Sequence, residues 1–300
     1  MSGAAPVTLL CCGLLGVAVD DGGILERAFT EAFATQGIVP GTAAYARSMV
    51  HVHQARGQSA VDVFRGVFPN APGRAEAATL AFDRSYRFAV DRSGLVPMDG
   101  AAEALAEIRD SGIRVCFITG LSRSLVGLVL DTLGWWRRVD LVLCPDDSPR
   151  GYPWPDPMLS AMLRLGVGDV QDTAYAGGTE SGVLCGRRAG ARIVAGVLTG
   201  GHTRDRLHRA GATHLLGSIV ELPHVLAEEG DVSQTAPSSS PTSAPIIPPP
   251  AGEQVLPAGE QRAPSGEDAT DGGTRLAGTT KMAGEGSERP AVGEAGGPEG

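Results

Sequence analysis

At 300 residues, 42% of them hydrophobic and 20% charged, the chain has room for one large or two small domains. The formal net charge is −9, and ten acidic residues against four basic ones place most of it beyond Glu229, which gives no support to a nucleic-acid surface. Five cysteines without a CxxC pair point to reduced core thiols in a cytoplasmic protein.

The apolar run from Val7 to Leu15 lacks a basic leader and passes directly into VAVDDGG (17–23). It is too short to cross a membrane, and it reads as a first, buried strand. Residues 23–36 then carry helical spacing in Ile24, Leu25, Ala28, Phe29, Ala32 and Phe33. Further helices are expected over 60–68 and 74–89, with no convincing strand between 22 and 93. From Leu95 onward helices and strands alternate: helix 100–111, strand 113–118, helix 122–133, strand 140–144, helix 156–165, strand 173–176, helix 180–189, strand 192–197, helix 203–210, strand 214–216 and helix 218–228. Alternation of this kind predicts a parallel, doubly wound sheet with right-handed crossovers and a ligand at the carboxyl ends of its strands. The expected organisation is an α/β core over 1–21 and 94–229, a helical cap over 22–93 and a tail over 230–300. The tail holds no aromatic residue and cannot bury enough apolar surface to order itself. Its Pro248–Pro250 stretch favours polyproline II, which a protein partner can read, although a solubilising tail is the plainer expectation.

Several phrases carry a more specific signal. They are GQS (57–59), VCFITG (115–120), LGW (133–135), VLCPD (142–146), GYPWPD (151–156), Gly190-Ala191 and GVLTG (196–200). In this order they resemble the haloacid dehalogenase (HAD) superfamily, and more narrowly its phosphonatase-like branch, related to phosphonoacetaldehyde hydrolase. The resemblance covers about residues 7–228. It implies a HAD-like Rossmannoid core with a cap inserted after the first strand, and hydrolysis of phosphorylated or phosphonate small molecules with magnesium.

The resemblance also implies where the chemistry belongs, and those positions are emptied. The nucleophilic aspartate falls on Gly13, the second acid/base aspartate on Leu15, and the following threonine on Val17. The cation that neutralises nucleophile and phosphate falls on Tyr152; both magnesium carboxylates fall on Gly178 and Gly182; the Schiff-base lysine of true phosphonatases falls on Ala60. The only lysine in the chain is Lys281, in the tail. Glycine has no nucleophile and leucine no proton to give. The family magnesium site therefore reads as lost, and no cofactor is expected.

A residual anion site is expected from Thr119, Gly120 and Arg150, in which a hydroxyl and free N–H groups precede a helix start at Ser122; the plainer alternative is that Thr119 and Ser122 cap the helix. Asp20-Asp21 are a substitute nucleophile or ligand pair, or a turn before Gly22-Gly23. Glu180 is a carboxylate near the fourth motif. His51 and His53 share a face only on a strand, which weakens a metal role in a helical region. Trp135 and Trp136 are expected at helix ends or the site rim, and Trp154 with Tyr152 as the wall of an apolar pocket. Two functions follow: a pseudoenzyme that binds a small anionic ligand or a protein partner, or an active hydrolase rebuilt on Asp20, Asp21, Thr119, Arg150 and Glu180.

Overall fold

The computed structural model describes residues 6–235, with side chains through 228. The expected tail, its proline run and Lys281 lie outside the described residues, apart from the end of the last helix. The chain opens with β1 (Leu9–Gly13) and the two-residue β2 (Val19–Asp20). Helices α1 (Ile24–Thr35), α2 (Ala43–Gln54), α3 (Ala60–Val67) and α4 (Pro72–Ser93) follow, and β3 (Val96–Pro97) pairs antiparallel with β2. The chain then alternates: α5 (Ala101–Asp110), β4 (Arg114–Ile118), α6 (Arg123–Leu133), β5 (Leu141–Leu143), α7 (Asp156–Leu165), β6 (Thr173–Gly177), α8 (Glu180–Ala189), β7 (Ile193–Val197), α9 (Arg204–Arg209), β8 (His214–Leu216) and α10 (Leu222–Thr235). Among the described residues, no helix is long and apolar enough to cross a membrane.

The six long strands form one parallel sheet in the order β5-β4-β1-β6-β7-β8. Alternate strand residues face opposite helical layers. Leu10, Cys12, Val115, Phe117, Ala174 and Ile193 join one apolar cluster, and Leu9, Cys11, Cys116, Tyr175 and Val194 the other. All five cysteines are buried and unpaired with one another, as thiols. Strand order reverses across β1, which puts the carboxyl end of β1 at the switch point where such sheets bind ligands.

The inserted helices are held by aromatic packing. Apolar residues at Ile24, Ala28, Phe29, Ala32 and Phe33 make the buried stripe of α1. That stripe meets α3 and α4 through Phe29, Phe33, Phe64, Phe82 and Tyr86; the Phe29 and Phe82 centroids are 4.6 Å apart. Each such ring contributes roughly 1.5–3 kcal/mol by leaving water. The cluster is continuous with the core on that face of the sheet, so insertion and sheet share their apolar packing. Helix α2 is not legible in the sequence because it buries only Ser48 and Val52; its start is set by Thr42 Oγ1, which accepts from the Tyr45 N–H. It also separates the two histidines. His51 packs over Gly66, and His53 lies 3.4 Å from Glu26.

On the second face, Tyr175 of β6 lies across α8 where that helix has glycine at 182 and 186. A Cβ built on Gly186 would stand 2.6 Å from the Tyr175 Cβ. Helix propensity alone would make Gly186→Ala stabilising by about 1 kcal/mol. The overlap reverses the sign, because a packed core resists added volume by about 1–3 kcal/mol. Gly186→Ala is therefore expected to lower the denaturation midpoint, which a urea titration followed by circular dichroism checks.

Candidate active site

Gly13 ends β1, paired with Ile118 at the end of β4, and the loop after it turns back at Gly16, whose φ of +74° suits glycine. A cavity of about 280 Å³ opens here between the sheet ends and the insertion. Gly13, Leu15, Val17, Ala60, Thr119, Gly120, Tyr152 and Gly178 all line it, so the structure brings together most of the positions that the sequence motifs single out. Gly182 stands behind them, under Tyr175. Arg150 is elsewhere.

The space beside positions 13, 178 and 182 is bounded by definite neighbours. A Cβ on Gly13 would have Val17 Cγ2 at 3.3 Å and Gly177 Cα at 3.9 Å, so the end of β1 has room for a side chain. A Cβ on Gly178 would run into the Gly200 Cα and lie 3.0 Å from the Gly200 nitrogen. A Cβ on Gly182 would strike the Tyr175 hydroxyl and stand 3.1 Å from its Cζ. That hydroxyl donates to the Tyr152 hydroxyl at 3.0 Å, which in turn donates to the Ile118 carbonyl at 3.2 Å. Both phenols are buried, and burial holds them well above the ordinary phenol range, so they stay neutral. The two rings meet edge to face, with centroids 6.3 Å apart.

The residual anion site is weaker in the structure than its sequence implies. Thr119 Oγ1 accepts from the Leu121 N–H at 3.2 Å. Ser122 does not cap α6 with its side chain; it donates to Asp83 Oδ2 at 2.9 Å. Burial raises the Asp83 carboxyl, while the Ser122 bond and the charge of Arg87 pull the other way. Gly120 faces the carbonyls of Gly57 and Gln58, which repel an anion. Arg150 does not reach in. It forms a two-point ion pair with Asp156 at 2.9 and 2.8 Å and stacks on the Trp154 ring. Trp154 is 45% exposed, between Arg150 and Arg188, so Tyr152 lines the cavity without it. Trp135 is buried against Phe117, and Trp136 is exposed with its indole N–H on Asp131.

The remaining acidic side chains have other work. Asp20 Oδ1 accepts from the Gly22 N–H, and Asp21 accepts from Gly23 and Leu25 at the start of α1. This is the turn reading of that pair. Glu180 pairs with Arg206 at 2.5 Å. A magnesium ion needs hard oxygen ligands, usually one or two carboxylates. Gly13, Gly178 and Gly182 offer no side-chain oxygen, and backbone fills the side-chain direction at 178. Among the described residues, no group of three or more His, Cys, Asp or Glu side chains is placed to hold a metal. The residues present do not fit the ion.

The sequence reading missed His202, Ser181 and Arg56, which tie the insertion to the sheet. His202 Nδ1 accepts from the Glu180 N–H at 2.7 Å, which leaves the proton on Nε2, 2.9 Å from the His53 carbonyl. Ser181 donates to the Arg56 carbonyl at 2.6 Å. No motif marks these contacts, because His202 and His53 are 149 residues apart.

A family model for haloacid dehalogenase-like hydrolases matches residues 16–190. The chain belongs to this family. Among curated relatives, it is 28% identical over 192 residues to the phosphonoacetaldehyde hydrolase of Pseudomonas entomophila, covering 55% of this chain and 69% of that one. It is 31% identical over 139 residues to the enzyme of that name from Pseudomonas aeruginosa, covering 44% and 49%. The fold is shared with a phosphonoacetaldehyde hydrolase-like protein from Oleispira antarctica, with a TM-score of 0.66, 20% identity, and coverage of 78% of this chain and 96% of that one. It is shared equally with a hydrolase from Pseudomonas syringae, with a TM-score of 0.64, 22% identity, and coverage of 74% and 98%.

Three outcomes test this packing. Gly13→Asp is expected to fold with a melting temperature near that of the unmodified chain, whereas Gly178→Asp loses several degrees because backbone must move. Gly182→Ala is expected to destabilise by about 1–3 kcal/mol, and by clearly less in a Tyr175→Phe background, a coupling that a double-mutant cycle reads directly. Burial lowers the His202 pKa, the bond to His53 opposes this, and the charges of Arg206 and Arg56 add to the lowering. Its contribution to stability is then full above the unfolded value of about 6.5 and lost as pH falls through the folded one. A melting-temperature series from pH 7.5 to 5 is expected to fall less steeply in His202→Gln.

Proposed function

We propose that this HAD-family chain is a pseudoenzyme: a ligand- or partner-binding protein on a hydrolase scaffold, without magnesium-dependent phosphoryl or phosphonyl hydrolysis. The observation that carries this reading is the Tyr175–Tyr152–Ile118 hydrogen-bond chain. It occupies the place where the family resemblance puts a cation and a magnesium carboxylate. Both phenolic protons are used within the chain, so neither tyrosine has an O–H left to donate to an anion. A phosphate dianion at the end of β1 would lose its water, meet no cation at position 152, and find one guanidinium, Arg56, in the cavity for two charges. The nucleophile position is also glycine, and loss of a nucleophile costs many orders of magnitude in rate.

The alternative is an active hydrolase on non-standard residues. It needs Asp20 or Asp21 as nucleophile, and Arg150 or Glu180 at the reacting centre. The Asp20 and Asp21 carboxylates are already bonded to backbone N–H groups, and Arg150 and Glu180 are each in ion pairs. Phosphonoacetaldehyde is the substrate named for the curated relatives. Its Schiff-base chemistry needs a lysine where Ala60 opens α3, which supports no lysine-dependent turnover here.

Phosphate release by the purified full chain, over phosphomonoesters and phosphonates, is expected to be the same with magnesium as with chelator. Gly13→Asp alone is expected to leave it unchanged. Reproducible turnover that disappears in Asp20→Ala or Asp21→Ala would establish the alternative.

A further inference from the structure

The cavity holds a cation that the emptied motifs do not account for. Arg56 lies in the loop between α2 and α3, lines the cavity and is half-buried. Its aliphatic stem and guanidinium lie across Gly201; a Cβ there would strike Arg56 Cδ and stand 2.6 Å from Nη1. Its backbone carbonyl is fixed by Ser181, which sets where the side chain starts. No carboxylate pairs with this guanidinium, and no hydrogen bond from it occurs, among the described residues. Arg150, Arg164 and Arg206, by contrast, each pair with a carboxylate.

The surroundings limit the ligand that this cation suits. Leu14, Leu25, Phe29, Phe82, Met98 and Leu121 give the cavity an apolar wall. The end nearest β1 is acceptor-rich, with the Gly57 and Gln58 carbonyls and two phenols whose protons are already used. The Asp20 and Asp21 carboxylates lie on the α1 side. Those carboxylates accept from backbone N–H groups at the start of α1, which leaves Arg56 as the cavity cation without a side-chain partner among the described residues; it can match one ligand charge and not two. A planar, forked guanidinium matches a carboxylate at two points.

We infer that the cavity binds a small, largely apolar monocarboxylate, anchored at its carboxylate by Arg56 and packed against the Phe29–Phe82 wall. This rests on the reading of the cavity as a binding site rather than a hydrolytic one. The carboxylate replaces the missing partner of Arg56, and the apolar body takes space that a phosphorylated substrate would not fill favourably.

The test is titration calorimetry of the full chain with hexanoate and phenylacetate, with the neutral amide of each acid, and with inorganic phosphate. At least one carboxylate is expected to bind at least tenfold more tightly than its amide and more tightly than phosphate. Arg56→Gln is expected to bring that carboxylate down to the level of its amide while leaving amide binding unchanged. Gly201→Ala, which displaces the guanidinium without removing it, is expected to weaken the carboxylate alone. A melting curve establishes that each variant is folded. The inference is overturned by failure of both carboxylates to bind, by equal binding of acid and amide, by tighter binding of phosphate, or by carboxylate binding that Arg56→Gln does not change. Magnesium-dependent phosphate release in a parallel assay would instead overturn the pseudoenzyme reading, so the two failures are separable.

Discussion

The packing of Tyr175 against α8 is the constraint on which the rest of this site depends. A phenol ring at that point of β6 requires glycine at 182 and 186, because a single methyl carbon at either position would overlap it. Its buried hydroxyl needs an acceptor, and that acceptor is the Tyr152 hydroxyl. Tyr152 in turn spends its proton on Ile118, at the end of the neighbouring strand. Two positions that the family resemblance assigns to ions, 152 and 182, are thus joined by one steric and hydrogen-bonding requirement. Gly178 belongs to a second such unit: the Gly200 backbone lies so close that neither residue has room for a side chain.

Set against the family resemblance, the residues at 13, 152, 178 and 182 differ from the implied ones in charge. A phosphohydrolase centre concentrates carboxylates, a cation and a metal in a small volume, and each charge is tolerated only because the others are there. Removing one alone leaves a buried, uncompensated charge. Here positions 152, 178 and 182 hold a neutral tyrosine and two glycines, which bring no charge of their own. The sheet, its two apolar layers and the aromatic cluster of the insertion are held by apolar packing that requires none of those ions.

The insertion is fastened at the same place. His202 joins the start of α8 to the end of α2, and Ser181 holds the loop that carries Arg56. One short stretch at the amino end of α8 therefore fixes both the cavity floor and the position of its cation. Arg56 lines the same cavity as Leu14, Phe29 and Phe82, while Arg150 and Glu180 are held in ion pairs of their own.

The sequence by itself determined the alternating architecture, because buried parallel strands and amphipathic helices carry different periods that survive in a single chain. It also located the cavity, since Gly13, Thr119, Tyr152 and Gly178 each stand in a recognisable phrase at a strand end. It did not reveal α2, whose buried face is only Ser48 and Val52. It placed Arg150 and Trp154 near the site on sequence distance, whereas their pairing with Asp156 and Arg188 holds them outside. Only the tertiary structure decided what surrounds positions 13, 178 and 182. Tyr175 is an ordinary strand residue in the sequence, and Gly182, Gly186 and Gly200 are ordinary glycines. Their relation is a matter of steric overlap between elements, which no local pattern records. The same holds for His202 and Arg56, whose partners are set by the packing of the insertion on the sheet.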